Sequence, residues 1–193
     1  GEVMSIARTF EEALQKAIRG LEIGKIGLVG NEGDDEKESV RDLREALSHP
    51  TDERIFKIVK AIKLGMDIDE INRLTGIDEW YLYKIVRIIE MEKKLRRLSL
   101  DMKEDVLTEE IREAKRLGFS DVQIAKFLGT DEFTVRSFRK NHKVVPSIKI
   151  VDTMAAEWDS RTNYCYLTYG DAGDDVEIDG GKSKVIVLGA GCI

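Results

Sequence analysis

Residues 64–80 read LGMDIDEINRLTGIDEW, and residues 117–133, 53 positions later, read LGFSDVQIAKFLGTDEF. In both stretches a Leu-Gly pair is followed by apolar side chains at helical spacing, a second glycine and an Asp-Glu-aromatic group. Because glycine commonly ends helices and aspartate begins them, each stretch predicts one helix end, a short second helix and the start of a third. The chain therefore contains a two-copy helical repeat whose equivalent apolar positions should bury equivalent faces.

Helical periodicity extends on both sides of the repeat. A helix is predicted from an N-cap at Thr9 to a stop at Gly24. Two more are predicted over 40–47 and over 54–62, on either side of the break at His49 and Pro50, and a long helix over 78–97 joins the two copies. Between the first two helices, residues 30–39 form a polar, acidic loop.

The two ends of the chain have a different pattern. Residues 1–8 indicate a strand, and residues 184–191 combine a β-branched run with a Gly-x-Gly turn, as at the start of a buried parallel strand in an α/β unit. Such strands need partners, so both ends are interpreted as parts of a longer protein. The expected fold class is mainly α, with short α/β remnants at both ends.

Composition narrows the functional classes. The chain has 193 residues, 42% of them hydrophobic and 35% charged, with a formal net charge of -6. This content of apolar residues excludes wholesale disorder, and no apolar run approaches the ~20 residues that span a bilayer. An acidic chain does not bind nucleic acid with its whole surface, although a local basic patch is compatible with these numbers.

The cysteines and histidines allow one metal-site hypothesis. Cys165 and Cys192 could form a zinc site with His49 and His142, but none of the four belongs to a closely spaced ligand pair. Two free, reduced thiols in a cytosolic protein are the simpler interpretation. No phosphate-binding loop, nucleophile elbow or paired histidines occur, and Gly189-Ala190-Gly191 is too short to establish a nucleotide-binding turn.

The second repeat copy supports an alternative function. Residues 119–129 resemble the first helix and turn of a helix-turn-helix, and residues 134–143 would then be a recognition helix carrying Arg136, Arg139 and Lys140. Residues 131–143 hold four basic and two acidic side chains, a small excess for a DNA-binding surface. A helix-turn-helix module of a transcription regulator is thus the alternative to a scaffold.

Self-association is suggested by wide apolar helix faces over 55–62 and 80–91, which should exceed what a small helical domain covers alone. Residue types common at interfaces occur there: Trp80, Tyr81, Tyr83 and Met91. We expect Trp80 in the core, because the helix over 79–86 is apolar, whereas Tyr81 and Tyr83 fit the core and an interface equally well. Tyr164, Tyr166 and Tyr169 are expected to pack on a surface or at an interface.

Several segments, in order, resemble the large chain of carbamoyl-phosphate synthase. They are Gly1–Thr9 with Leu14–Glu22, Arg54-Ile55, Leu74–Asp78, Gly118–Asp121, Val151–Trp158 (VDTMAAEW) followed by Tyr164, Tyr166, Thr168 and Tyr169, and Val185–Gly191. The resemblance covers essentially the whole chain. It implies an enzyme that makes carbamoyl phosphate from bicarbonate, ATP and ammonia, the last delivered by a glutaminase small chain, for arginine and pyrimidine biosynthesis in the cytoplasm. Two ATP-grasp halves use ATP and magnesium.

The same resemblance implies a division of this chain. Residues 1–24 would end the first (carboxyphosphate) half, 25–147 would be the helical oligomerisation domain, 148–183 a linker with a DTxAAE-like motif, and 184–193 the first strand and glycine turn of the second (carbamoyl phosphate) half. The family's catalytic, nucleotide-binding and metal-binding residues lie outside such a slice, so none is assigned here and the fragment is expected to be inactive. We expect a homo-oligomer with neither a membrane nor nucleic acid as partner. The structural or interface residues expected are Trp80, Tyr81, Tyr83, Asp152, Thr153, Glu157, Tyr164 and Tyr166.

Overall fold

The computed structural model describes residues 3–34, 38–170, 173–177, 180–181 and 183–187. Within these ranges the chain is mainly α-helical, as predicted, with eight helices and one pair of short strands. The helices are α1 (Phe10–Gly20), α2 (Val40–Ser48), α3 (Arg54–Lys63), α4 (Ile68–Thr75), α5 (Glu79–Leu95), α6 (Glu104–Arg116), α7 (Asp121–Leu128) and α8 (Glu132–Asn141). No described helix combines the length and apolar character that a bilayer crossing demands.

The predicted repeat is confirmed at the level of helix boundaries. Helices α3, α4 and α5 form the first copy, and α6, α7 and α8 form the second. Both short helices end at a glycine in the left-handed region, Gly76 at φ 69° and Gly129 at φ 66°. Both third helices begin at an aspartate whose side chain accepts a backbone N–H, Asp78 in the first copy and Asp131 in the second. The same local signals at the same spacing therefore build the same three-helix unit twice.

Helix α5 lies at the centre of the fold and contacts α1, α3, α4 and α7. Its inward face buries Leu82, Ile85, Ile88 and Ile89 completely or almost so. Each such side chain contributes about 2 kcal/mol through the removal of apolar surface from water. The wide apolar faces predicted from the sequence are therefore largely buried in the core. The prediction that the helix over 55–62 exposes an apolar face is wrong, because Ile58 and Val59 are buried. Met91 on α5, a predicted interface residue type, is buried as well.

Helix α1 begins as predicted, with Thr9 Oγ1 accepting from the Glu12 N–H at 3.2 Å. It ends at Gly20 rather than at the predicted Gly24, because the chain already turns at Glu22, which has φ 54°. Helix α1 buries polar side chains as well as Ile18. Gln15 accepts the N–H of Leu28 at 3.0 Å, which holds the buried segment Leu28-Val29 over the core.

The strands differ from the predicted remnants. β1 (Ser147–Ile150) and β2 (Cys165–Thr168) form an antiparallel pair in which Ser147 is opposite Thr168, inside a segment predicted mostly as a linker. The predicted strand over 1–8 is wrong for the described residues 3–8, because that segment bonds to α1 instead. Ser5 Oγ donates to Ala13 O at 2.8 Å.

The strand predicted near the other end is also not observed in its described part. Residues 185–187 are exposed, and no described strand pairs with them. The rest of that prediction, including Gly189-Ala190-Gly191 and Cys192, falls on residues that the structure does not describe.

Candidate association surface and charged junction

Three aromatic rings meet where α1 and α5 begin. The Phe10 ring centroid lies 5.8 Å from Trp80 and 5.1 Å from Tyr81, and Trp80 and Tyr81 are 5.0 Å apart, all in edge-to-face geometry. The Lys84 ammonium lies 4.9 Å from the centre of the Trp80 ring. Such pairs add about 1 kcal/mol each beyond simple burial, so the rings hold one another in fixed positions.

This group remains open to solvent although it is apolar. Trp80 is 53% exposed, so its predicted place in the core is wrong, and Tyr83, one turn further along α5, is also 53% exposed. Leu82 and Ile85 turn α5 inward, which leaves the aromatic residues on its outer side. We call Phe10, Trp80, Tyr81 and Tyr83 the aromatic surface. Its repeat equivalent is different: Phe133 occupies the position of Trp80, is 76% exposed and contacts no described aromatic ring.

A second feature lies in the interior, around Asp121 at the start of α7. Arg139 donates from Nε to both Asp121 carboxylate oxygens at 2.9 Å, and its Nη2 lies 2.9 Å from Oδ2. Lys115 Nζ donates to Asp121 Oδ1 at 3.0 Å. All three side chains are at least nine-tenths buried, so two interior cations share one carboxylate.

Helix α1 and β2 complete this cluster. Thr168 Oγ1 donates to Glu12 Oε2 at 2.8 Å, and Lys16 lies 3.2 Å from Glu12 Oε1. The Tyr169 ring centre lies 4.9 Å from Lys115 Nζ and 5.7 Å from the Arg139 guanidinium, so the ring covers both cations. We define the charged junction by its six ionisable members, which are Glu12, Lys16, Arg19, Lys115, Asp121 and Arg139.

The end of α6 is capped by side chains of the same junction. Three successive carbonyls, of Leu117, Gly118 and Phe119, accept from Gln15 Nε2 at 3.4 Å, Arg19 Nη1 at 2.8 Å and Lys115 Nζ at 2.7 Å. Cations at a helix C-terminus are favourable because they face its unpaired carbonyls. The close fit of α1 depends on Gly118, where an added Cβ would lie 2.8 Å from Glu12 Cα.

Burial changes the ionisation of these groups. Removal from water lowers the pKa of Lys115 to about 8, with Asp121 only partly offsetting the loss of hydration. Burial also lowers the pKa of Arg19, while the charge of Glu12 acts in the opposite direction. Burial alone would raise the pKa of Asp121, but the hydrogen bond from Arg139 and the charge of Lys115 hold it below its usual range. The junction therefore carries more positive charge than its carboxylates compensate.

The helix-turn-helix alternative finds no support in this geometry. Arg139, predicted to meet phosphates, is committed to Asp121 and to the carbonyl of Val144 at 3.2 Å. Arg136 and Lys140 are exposed, but without Arg139 the local excess of basic charge falls to one. A surface that neutralises several phosphates needs more.

The segment over 152–157 is a surface turn. Asp152 accepts the N–H of Met154 at 2.8 Å and of Ala156 at 2.7 Å, which holds Ala155 and Ala156 in the left-handed region at φ 52° and 57°. Thr153 Oγ1 lies 3.5 Å from Ser160 Oγ, and Glu157 is exposed. Thus Asp152 shapes the turn, while the described contacts give Glu157 no side-chain partner.

The predicted tyrosines separate in space. Tyr164 is exposed, whereas Tyr166 is half-buried with its ring centre 5.9 Å from Lys16 Nζ. Tyr169 lies over the two buried cations of the charged junction, Lys115 and Arg139. The zinc hypothesis gains nothing from the described ranges, in which no three His, Cys, Asp or Glu side chains are placed to hold a metal ion. Of its members, Cys165 is exposed, and Cys192 lies outside those ranges.

Sequence reasoning missed the charged junction, although the repeat contains a signal for it. When the two copies are aligned with an offset of 53 residues, Lys115, Asp121 and Arg139 stand opposite three apolar residues of the first copy. These are Ile62, Ile68 and Val86. Ion-pairing residues at the apolar positions of a repeat indicate a buried polar cluster.

Together these features define a mainly α-helical domain, built from a two-copy three-helix repeat, with an exposed aromatic surface and a buried charged junction. The sequence profile of the family described as carbamoyl-phosphate synthetase large chain, oligomerisation domain, matches residues 2–143. The chain belongs to this family.

Relatives agree with the profile over nearly the whole chain. Identity is 44% over 192 residues to a carbamoyl phosphate synthase large chain of Archaeoglobus fulgidus and 45% over 193 residues to one of Thermoanaerobacter pseudethanolicus. It is 43% over 191 residues to the multifunctional protein CAD of Squalus acanthias. These alignments cover 99%, 100% and 99% of this chain but 18%, 17% and 8% of the relatives, so the chain spans less than a fifth of their length.

Proposed function

We propose that this chain is the self-associating scaffold of a carbamoyl-phosphate synthase large chain, and that two copies meet through the aromatic surface. The observation that carries the proposal is the exposure of Trp80, Tyr81 and Tyr83 on α5. Trp80 and Tyr81 are in ring contact, and the domain's family is described by oligomerisation. Tyrosine and tryptophan are enriched at protein interfaces, where they contribute a large share of the binding free energy.

The occupant of this surface is a second copy of the same chain. An isologous contact places the same patch of both copies against each other, and fixed rings facing fixed rings lose little conformational entropy on association. The Lys84 ammonium, held over the Trp80 ring and 3.6 Å from Glu11 Oε1, places a polar rim beside the patch. A two-fold contact between such patches fits the residue composition of this face.

For the whole enzyme we propose the activity that the relatives' names imply: an ATP-dependent ligase that forms carbamoyl phosphate from bicarbonate and glutamine-derived ammonia, for arginine and pyrimidine biosynthesis in the cytoplasm. Its ATP and magnesium sites, and the contact with a glutaminase small chain, belong to parts of the enzyme that this chain does not cover. In this proposal the chain alone has no turnover, because it spans less than a fifth of the relatives' length.

We also retain the proposed division at residues 24, 147 and 183, with one physical argument for a joint near 147. α8 ends at Asn141 and β1 begins directly after Pro146, so the chain leaves the helical repeat between these two elements. Asp152, Thr153 and Glu157, with Tyr164 and Tyr166, then present a mainly exposed turn and strand that another part of the enzyme covers.

The test is the molar mass in solution, by light scattering after size exclusion over a hundredfold range of concentration. The double variant Trp80→Ser, Tyr83→Ser should remain monomeric where the unaltered chain dimerises, with its dissociation constant raised at least tenfold. Phe133→Ser is the matched control, because it removes an equally exposed aromatic ring at the equivalent repeat position. A double variant that dimerises like the unaltered chain, or a control that loses association equally, would refute the aromatic surface as the interface.

A further inference from the structure

A small cavity of about 120 Å³ lies in the charged junction, between α1, the turn after α6 and the end of β2. Its walls include three cationic side chains, of Lys16, Arg19 and Lys115, but one carboxylate, that of Glu12. Lys115 is nine-tenths buried. The cavity is therefore small, polar and lined mainly by positive charge.

The ion pairs around this cavity do not balance. Lys16 and Glu12 neutralise each other at 3.2 Å. Lys115 and Arg139 share the single carboxylate of Asp121. Arg19 has no carboxylate within ion-pair distance among the described residues, and its one hydrogen bond there goes to the carbonyl of Gly118. The junction thus keeps an excess of two positive charges, which is costly in a partly desolvated interior.

Donors at the cavity also outnumber acceptors. A guanidinium carries five N–H groups in a fixed plane, and Arg19 uses one of them on protein. An ammonium carries three, of which Lys115 uses two, on Phe119 O and Asp121 Oδ1. A planar fork beside a point charge is the arrangement that recognises oxyanions.

We propose that this cavity binds one small oxyanion of the size of phosphate or sulfate, held by the Arg19 guanidinium and the Lys115 ammonium. A volume of about 120 Å³ accommodates such an ion and excludes a nucleotide. The bound ion neutralises the excess charge of the junction and joins α1 to the turn after α6, because Arg19 belongs to the first and the Gly118 carbonyl it contacts belongs to the second.

Ionisation supports this assignment. Burial lowers the pKa values of Lys115 and Arg19, and the nearby carboxylates of Asp121 and Glu12 offset this only in part. The other charged groups around Lys115 are Asp121, Arg139 and Arg19, and Glu12 and Lys16 line the same cavity. An anion would therefore be the third negative charge beside four cations. Sulfate keeps its charge between pH 7 and 9, so its binding should weaken there as Lys115 deprotonates around pH 8.

The test uses the 193-residue chain with sodium sulfate and sodium phosphate, and sodium chloride at matched ionic strength. We expect both oxyanions to bind saturably by calorimetry and to raise the melting temperature, whereas chloride does neither. In ¹⁵N-resolved spectra the amide signals of Gly118 and Phe119 should shift with sulfate. The shifts should require up to about tenfold more sulfate at pH 9 than at pH 7, which is the limit set by a Lys115 pKa of about 8. Equal effects of all three salts would overturn the proposal.

The variant Arg19→Gln keeps a donor for the Gly118 carbonyl and removes the charge, so sulfate binding should weaken at least tenfold. Arg136→Gln is the control, since it removes an exposed cation from α8 outside the cavity, and it should bind sulfate like the unaltered chain. Unchanged binding by Arg19→Gln would refute the site. If that variant does not fold, the spectra of the unaltered chain decide the question. Sulfate-induced changes in amide signals that lie away from Gly118 would also refute the site.

Discussion

Arg139 and Asp121 form a two-point ion pair in the interior, with both nitrogens of the contact 2.9 Å from carboxylate oxygens, and they stand where the first repeat copy has Val86 and Ile68. Lys115, the third member, stands where the first copy has Ile62. The two copies therefore share a backbone plan and differ in the chemistry of one internal face. The charged face is the one that receives α1 and Tyr169.

Loss of Asp121 should be severe. Asp121→Ala leaves Lys115 and Arg139 buried without their shared carboxylate, and breaking such a pair costs about 3 to 5 kcal/mol. The measurement is the free energy of unfolding in urea. Asp131→Ala, which removes an exposed N-cap aspartate of α8, is the matched control and should cost about 1 kcal/mol. Equal losses in both variants would contradict a buried network at Asp121.

Replacing the whole triad should be much milder than breaking it. Lys115→Ile, Asp121→Ile, Arg139→Val together reproduce the apolar face of the first copy, and apolar replacements of buried ion pairs are often neutral or stabilising. We expect the triple variant to unfold within about 1 kcal/mol of the unaltered chain, measured by the same urea titration. A triple variant less stable than Asp121→Ala would show that the charges contribute net stability.

The pH dependence of the free energy of unfolding should reveal the lowered pKa of Lys115. Its folded-state pKa of about 8 lies below the ordinary lysine pKa of 10.5, so the unfolded chain binds more protons between these values and stability rises with pH there. The shift corresponds to about 3 kcal/mol over the full interval. Unfolding free energies at pH 7.5 and pH 10 should therefore differ more in the unaltered chain than in Lys115→Met. Identical differences would exclude a perturbed Lys115.

Two glycines at equivalent repeat positions allow the cost of backbone strain to be measured apart from the cost of close packing. Gly65 and Gly118 have φ values of 85° and 83°, but an added Cβ meets nothing within 4 Å at Gly65 and backbone of α1 at Gly118. Gly65→Ala should cost about 1 kcal/mol from the left-handed conformation alone. Gly118→Ala should cost about 2 kcal/mol more, because α1 must move away from the turn. Thermal or urea unfolding of the pair measures the difference, and equal losses would mean that α1 is not packed closely on the turn.

The sequence predicted the repeat well because its signals are local. Glycine at the end of a short helix and aspartate at the start of the next act through their own backbone neighbours. Gly76 and Gly129, like Asp78 and Asp131, therefore give the same result in both copies. The helix boundaries of both copies follow from such signals.

What the sequence left undetermined depends on contacts distant along the chain. Trp80 is a large apolar residue on an apolar helix, and only the packing of α5 shows that it faces outward. Arg139 has the appearance of a solvent-facing cation on α8 until Asp121, 18 positions earlier, is brought beside it. Residues 3–8 have a strand-like pattern, but Ser5 bonds to α1 instead of to another strand. Local patterns do not contain these partners.

The central claim is that copies of this chain meet at Trp80. The chain has two tryptophans, and the other, Trp158, is 72% exposed on the turn after β1 and serves as an internal control. With 5-fluorotryptophan incorporated and the two ¹⁹F signals assigned through Trp158→Phe, we would record spectra across the concentration range in which molar mass rises. The Trp80 signal should shift in step with molar mass while that of Trp158 stays constant. A rise in molar mass that leaves Trp80 unchanged, or moves Trp158 alone, would contradict the account.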